Sequence, residues 1–309
     1  MISRMVPAVW ILFSLAGVSA VSEPARAQIS AIEAPPSPVE LVRRTVANEV
    51  AAANDSSVRH LFREYKRSAQ GSQTRIYVET REAIAGMTIA YNDKPLTPQQ
   101  LQSEEGRLSG LVNNPQQLER KRRQEKEEAE HTLAIVKALP DAFVYTYDGW
   151  EAGTASLGRE GVQLVRLKFR PDPAYRPPSH VEDVLVGMSG AMLIDPEAHR
   201  IARIDGTLFK EVSFGWGILG HLDKGGHFLV EQEGLDDGSW SVSRMSLSFS
   251  GKILLFKSIA IKSEELFSDF RQVPASLSFA EGVQMLKAER AKQAAGGTDA
   301  VRAQNDRLH

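Results

Sequence analysis

Apolar and polar residues alternate through much of residues 184–261, where short turns rich in Gly, Asp and Lys separate the alternating stretches. Alternation with a period of two is typical of a β-strand that buries one of its faces. The pattern predicts strands at residues 184–195, 200–212, 227–235, 239–249 and 252–261. Because the connections between them are short, we expect these strands to form one antiparallel meander.

Shorter β-type stretches precede this meander. They predict a first group of strands at residues 58–66, 74–80 and 83–91, and a second group at residues 143–150 and 162–169. A Pro-rich segment, residues 171–178, follows the second group. Proline lacks the N–H donor that a central strand needs, so this segment predicts a loop that leads into the meander.

Two segments before residue 143 have apolar residues at helical spacing instead. Residues 39–53 predict an amphipathic helix that begins at Ser37 or Pro38. Residues 97–140 predict a helical insertion, because Thr97-Pro98-Gln99-Gln100 has the composition of a helix start and leucines recur after it. Within the insertion, a basic block is followed at once by an acidic block at residues 119–130, which favours a solvated helix face over a polyanion-binding arm.

The N-terminus has the pattern of an export signal. Arg4 precedes an apolar run at residues 6–21, and Ala25-Arg26-Ala27 matches the small-x-small pattern that signal peptidase reads. We expect cleavage after Ala27, with an earlier cut after Ala20 as an alternative. An uncleaved anchor is disfavoured because the run is shorter than the roughly 20 residues that span a bilayer.

These features predict one exported domain. We assign residues 1–27 to the signal peptide, 28–37 to a Pro-rich leader and 38–291 to a single domain. A last helix is expected at residues 278–291, and the small polar residues of 292–309 predict a disordered tail. With no second long apolar run, we expect a soluble periplasmic protein that has no transmembrane span after cleavage of the signal.

Composition narrows the classes of function. The 37 basic residues nearly balance the 39 acidic ones, so no global field attracts nucleic acid, and nucleic-acid binding is disfavoured. The chain contains no cysteine, which excludes disulfides and thiolate metal ligands. An apolar content of 42% is enough for a packed core.

Several short motifs imitate functional sites. Residues 215–220 spell GxGxxG, but a polar turn and a strand follow where a dinucleotide site needs a helix. We expect a glycine-rich connection there, whose apolar Trp216, Ile218 and Leu219 are candidates for the rim of a binding site. Residues 187–191 approach the nucleophile elbow GxSxG, yet they lie inside a strand pattern and end in alanine.

The histidines and paired aspartates are also weak signals. His199, His221 and His227, with Asp195, Asp223 and Glu231, suggest a metal cluster, but their spacing matches no metal motif and favours turn or surface residues. Asp236-Asp237-Gly238 suggests paired carboxylates, although Asp-Gly between two strands is a common hairpin turn. We therefore predict no catalytic residue, no cofactor and no metal site.

The chain resembles a family of exported bacterial proteins of acidobacterial type that are described as similar to outer-membrane lipoprotein-sorting proteins. Five stretches carry the resemblance, at residues 92–98, 139–143, 169–173, 187–190 and 214–220. More distantly, the order of elements resembles the LolA/LolB-like fold of lipoprotein carriers. The resemblance implies a mainly β, α+β fold in which a curved antiparallel sheet of about ten to eleven strands forms an incomplete barrel covered by helices.

In such carriers, the concave apolar face receives the acyl chains of lipoproteins. The resemblance therefore implies a non-enzymatic carrier or chaperone for a lipid, lipoprotein or other hydrophobic ligand. Candidate residues to line the cavity are Met188, Met192, Leu229, Met245 and Leu254, with the rim residues Trp216, Ile218 and Leu219. The same side chains also suit an ordinary core. The alternatives are an envelope scaffolding module that binds a protein partner and, third, an exported hydrolase.

Overall fold

The fold was analysed in a computed structural model, which describes residues 12–13, 37–214, 220–253 and 257–305. The predicted signal peptide lies almost entirely outside the described residues. So do four predicted ligand-binding residues: Trp216, Ile218, Leu219 and Leu254.

The described helices are α1 (Pro38–Ala53), α2 (Pro98–Asn113), α3 (Pro115–Ala142) and α4 (Phe279–Asn305), with a 3-10 turn at Asp183–Gly187. The strands of the N-terminal half are β1 (Leu12–Phe13), β2 (Asn54–Asp55), β3 (Arg59–Ser68), β4 (Gly71–Glu79), β5 (Ile84–Tyr91), β6 (Lys94–Pro95), β7 (Phe143–Ala152) and β8 (Gln163–Pro171). The remaining strands are β9 (Met188–Asp195), β10 (Arg200–Leu208), β11 (Val212–Phe214), β12 (Gly220–Leu222), β13 (His227–Gly234), β14 (Trp240–Ile253) and β15 (Lys257–Val273).

Thirteen of the described strands form one open, antiparallel sheet. Its main path runs β6-β5-β4-β3-β15-β14-β13-β10-β9-β8-β7, and the hairpin β11–β12 joins it through β14. The two-residue strands β1 and β2 form a separate parallel pair. The curved antiparallel sheet and the α+β class predicted from the sequence are confirmed.

Capping residues set the helix starts where the sequence predicted them. The Ser37 side chain accepts a hydrogen bond from the Glu40 N–H at 3.3 Å and starts α1. Thr97 and Gln100 form a reciprocal capping box at α2. Asn114 then caps a second helix, so the predicted insertion is two helices.

Several element boundaries differ from the sequence prediction. The stretch expected as a strand from residue 184 begins as a 3-10 turn, and β9 starts at Met188. The last strand, expected to end at residue 261, continues to Val273. In the part of this strand beyond residue 261, the buried positions include the polar Ser263 and Glu265. They interrupt the apolar alternation by which a strand is recognised. Helix α4 continues to Asn305 through the predicted disordered tail, since this segment is rich in Ala, Lys, Gln and Arg.

Across β8, β9, β10, β13 and β14, one face of the sheet is mainly apolar and the other carries most of the charged residues. We call the inner face the side that carries Leu167, Met192, Ile204, Val230 and Met245, which are paired in register across β8, β9, β10, β13 and β14. The outer face carries a row of ion pairs of alternating sign, with neighbouring charged atoms 2.6–4.0 Å apart: Lys168, Asp148, Arg166, Glu151, Arg203, Glu231, Arg244 and Glu264. This row keeps the middle of the outer face in contact with water.

Helices cover the two ends of the sheet on opposite faces. Helix α1 and the C-terminal part of α3 pack on the inner face of β7 to β10. Helices α2 and α4 pack against the outer face of β3 to β5, where Val78, Ala85 and Leu286 are fully buried. Each end of the sheet therefore buries one apolar face, as a curved antiparallel sheet requires.

Side chains from the insertion satisfy the free edge of β5. Glu104 accepts a hydrogen bond from the Thr88 N–H at 2.7 Å, and Arg107 donates to the Gly86 carbonyl at 2.6 Å. Further along the edge, Glu125 accepts from the Ile84 N–H at 3.1 Å. The insertion thus covers an edge that would otherwise be open to pairing with another chain.

Replacing Glu104 with alanine is expected to lower the free energy of unfolding by about 1–2 kcal/mol, because the buried Thr88 N–H loses its acceptor. Urea unfolding followed by circular dichroism measures the change. Glu105→Ala is the matched control, since it removes a neighbouring carboxylate that does not contact the β5 edge. Equal losses in the two variants would show that the edge contact does not contribute.

Candidate functional site

An open cleft of about 820 Å³ separates the C-terminal half of α3 from the Pro-rich loop that follows β8. Its lining residues are Glu130, Leu133, Ala134, Lys137, Ala138, Asp141, Asp172, Ala174, Tyr175, Arg176, Pro178 and Glu182. The volume falls within the range of about 300–1,000 Å³ that is typical of small-molecule sites.

Helical periodicity builds one wall of the cleft. The α3 residues that line it recur every three or four positions between Glu130 and Asp141, so they share one face of the helix. A neighbouring face of α3 buries Leu139 and Ala142 against the inner-face core. Helix α3 therefore separates the cleft from the core, and Ala138 belongs to both surfaces.

Local hydrogen bonds hold the opposite wall. Asp172 accepts through its side chain from the Ala174 N–H at 2.7 Å and through its carbonyl from the Tyr175 N–H at 3.1 Å. The Ser179 hydroxyl donates to Glu182 at 2.5 Å. Arg176 turns back to donate to the loop's own carbonyls. The loop thus has a defined shape without joining the sheet.

We call the apolar α3 residues that line the cleft its floor and the charged lining residues its rim. Leu133, Ala134 and Ala138 supply the floor, whereas carboxylates outnumber basic groups in the lining by four to two. Burial raises the pKa of Tyr175, and the nearby carboxylates, Glu182 first, raise it further. The Tyr175 hydroxyl is buried and has no hydrogen-bond partner among the described residues. A ligand that supplies a hydrogen-bond acceptor would therefore satisfy this hydroxyl.

Four of the predicted ligand-binding residues lie within the described part of the chain, and none of them lines this cleft. Met188 and Met192 belong to the buried core under α1, where Met192 is 1% exposed. Met245 packs in a separate inner-face cluster with Phe62 and Phe267. Leu229 pairs with Asp205 and Ser246 on the outer face, so it does not share a surface with the three methionines.

Sequence reasoning missed the cleft because its walls come from two segments that were interpreted separately. The apolar residues of α3 predict only a helix in the insertion, and the Pro-rich segment predicts only a loop. One signal was present in the sequence. Leu133, Ala134 and Ala138 continue an apolar stripe beside the stripe of Leu139 and Ala142, and two stripes on one helix indicate two contact surfaces.

The turn at Asp236-Asp237-Gly238 is confirmed, and Gly238 has a φ of 82°. Asp237 also contacts His60, a buried histidine that is far from it in the sequence. Its Oδ2 lies 2.8 Å from His60 Nε2, while Glu79 Oε2 lies 3.8 Å from His60 Nδ1 and accepts the His60 backbone N–H at 2.8 Å. Ser239 donates to Asp237, not to the imidazole, so the cluster contains no serine–histidine pair for nucleophilic catalysis.

The histidines and acids first considered as a metal cluster have mostly separate partners. Asp195 is bound by Arg159 and Glu231 by Arg203, while His227 pairs with Asp205 at 2.9 Å. Of the remaining three, His221 and Asp223 lie beside each other at the end of β12, whereas the buried Nδ1 of His199 has no hydrogen-bond partner among the described residues.

Comparisons with known proteins show structural likeness of low similarity only. No family model matches the chain, and no curated protein is significantly similar to it. Among solved structures, a DUF1329 family protein from Desulfovibrio piger is similar over 75% of this chain and 90% of its own, with 9% sequence identity and a TM-score of 0.25. Within the described ranges, no helix is long and apolar enough to cross a membrane.

The Glu79 carboxyl predicts a pH dependence of stability. Burial raises its pKa from 4.5 to about 7. A raised pKa means that the fold favours the protonated acid, so this contribution is complete below pH 4.5 and is lost as the pH rises through about 7. The loss amounts to roughly 3 kcal/mol at most, from the size of the shift.

Glu79→Gln stays neutral but keeps an acceptor for the His60 N–H, so its free energy of unfolding is expected to fall less between pH 5 and pH 8 than that of the wild type. Urea unfolding at the two pH values measures the difference. The exposed Glu160→Gln is the control and is expected to follow the wild type. If Glu79→Gln also follows the wild type, Glu79 does not titrate in this range.

Proposed function

We propose that the protein is an exported, non-enzymatic carrier or chaperone that binds the hydrophobic part of a lipid or lipoprotein. The observation that carries this proposal is the open cleft between α3 and the Pro-rich loop, next to the helix-covered inner face. The resemblance to LolA/LolB-like lipoprotein carriers supports the same class of ligand. The predicted signal peptide supports a periplasmic location.

The floor of the cleft suits an aliphatic chain. Leu133, Ala134 and Ala138 present methyl and methylene groups, and burial of each ligand CH₂ against such groups is worth about 0.8 kcal/mol. Ala138 and Tyr175 also pack against the inner-face core. A chain in the cleft would therefore add to an existing apolar cluster.

The rim restricts the polar part of the ligand. Glu130, Asp141, Asp172 and Glu182 face the cleft, and Arg176 already donates to loop carbonyls. A free carboxylate would meet like charges there, whereas an uncharged ester or amide would not. The Tyr175 hydroxyl could donate to an ester or amide carbonyl. We therefore expect acyl chains in ester or amide linkage to bind better than free fatty acids.

A different observation favours envelope scaffolding as the second candidate. Strand β7 is an edge of the sheet and carries Tyr147 and Trp150, which are 46% and 63% exposed. Exposed aromatic side chains on a sheet edge are typical of surfaces that bind partner proteins. The bulge between Tyr147 and Trp150 interrupts the regular pairing of this strand.

Native mass spectrometry of protein purified from its own envelope, followed by lipid extraction, tests the carrier directly. The proposal expects a lipid or acylated peptide in stoichiometric amount and a preference for a fluorescent acyl amide over the matched fatty acid. An unliganded mass together with no uptake of either probe would reject the carrier and favour scaffolding through β7.

Leu133→Asp is expected to weaken binding of the acyl-amide probe at least about tenfold, which is about 1.4 kcal/mol, because it places a charge on the apolar floor. Ala134→Phe fills the same space without adding charge and is expected to act in the same direction. Leu266→Asp is the matched control, since Leu266 is exposed on the outer face.

Fluorescence titration measures these affinities, and circular dichroism verifies that each variant is folded. If all three variants bind like the wild type, the probe does not occupy this cleft. If Leu266→Asp weakens binding as much as Leu133→Asp, the effect is one of charge alone and the site is not located by these variants.

A further inference from the structure

The base of the β11–β12 hairpin brings together three side chains that suit a metal ion. Val212 pairs with Leu222, and Ser213 pairs with His221. Glu211 and Asp223 are the next residues beyond the first of these pairs. Because side chains alternate along a strand, this register places Glu211, His221 and Asp223 on one side of the hairpin.

The distances within this group differ from those of ordinary histidine–aspartate pairs. One ligand atom from each of the three residues lies within 4.8 Å of the others, and His221 Nε2 is 3.4 Å from Asp223 Oδ1. Elsewhere, His60–Asp237, His180–Asp183 and His227–Asp205 are hydrogen-bonded at 2.8, 3.0 and 2.9 Å. Ligands about 2.0–2.1 Å from a tetrahedral zinc ion are roughly 3.3–3.4 Å apart, which matches the longer pair.

A neighbouring strand orients one of these ligands. The Ser250 hydroxyl of β14 donates to Asp223 Oδ2 at 2.6 Å, and the Asp223 N–H donates to the Ser250 carbonyl at 2.9 Å. These bonds fix the carboxylate and leave Oδ1 directed towards His221. Such support from outside the ligand set is typical of metal sites.

We propose that Glu211, His221 and Asp223 bind a divalent transition-metal ion, with Zn²⁺ as the best match. One imidazole and two carboxylates suit zinc better than Mg²⁺ or Ca²⁺, which take oxygen ligands. The ion neutralises two neighbouring carboxylates. It also bridges Glu211, the residue before β11, and Asp223, the residue after β12. Because Ser250 of β14 donates to Asp223, the ion stabilises the position of the hairpin against β14. This site is independent of the lipid cleft.

Zinc titration of chelator-treated, full-length protein tests the proposal. Isothermal titration calorimetry and elemental analysis are expected to show one equivalent of Zn²⁺, and the thermal midpoint is expected to rise with zinc. His221→Ala and Glu211→Gln are each expected to weaken zinc binding at least about tenfold. Glu211 is exposed, so its variant keeps the test valid if His221→Ala does not fold.

His227→Ala is the matched control, because it removes a histidine that is already paired with an aspartate. It is expected to keep the wild-type zinc affinity. An equal loss in His227→Ala, unsaturable binding, or stoichiometric binding that survives both His221→Ala and Glu211→Gln would each overturn the assignment.

Discussion

The fold depends on the pairing of β15 with strands from both ends of the chain. This strand of 17 residues is hydrogen-bonded to β14 on one side and to β3 on the other. Without it, the meander of β13 and β14 and the N-terminal strands would be two separate sheets. The pairing of β15 with β3 includes a buried carboxylate: Glu265 is 1% exposed, and its Oε1 lies 2.5 Å from Lys66 Nζ on β3. Breaking one member of such a pair leaves the other buried and uncompensated.

The position of the cleft follows from this single sheet. Because both halves belong to one curved surface, α1 and α3 cover one end on the inner face while α2 and α4 cover the other end on the outer face. The insertion spans both ends, since α2 satisfies the β5 edge and α3 packs on α1 beside β7. The C-terminal half of α3 also faces the Pro-rich loop, and the cleft is the space between them.

Local signals predicted most elements, and long-range contacts account for what was missed. The caps at Ser37 and Thr97 and the turn at Gly238 depend on neighbouring residues, so the sequence predicted them correctly. Beyond residue 261, β15 buries the polar Ser263 and Glu265 as well as Phe267, so hydrophobic alternation did not reveal this part of the strand. The cleft, like the pairing of His60 with Asp237, joins segments far apart in sequence, and no local pattern specifies such contacts.

The chemistry of the inner face favours the cleft over the middle of the sheet as a place for an apolar ligand. On β3, burial raises the pKa of Glu64, and the charge of Glu265 raises it further, while the Tyr77 hydroxyl donates to Glu64 at 3.0 Å. An aliphatic chain there would exclude water from these ionisable groups, and their desolvation costs free energy. Under α1, Met192 and Leu167 are already packed as core. The apolar α3 residues Leu133, Ala134 and Ala138 line an open cleft, where a chain can gain apolar contact without displacing the core.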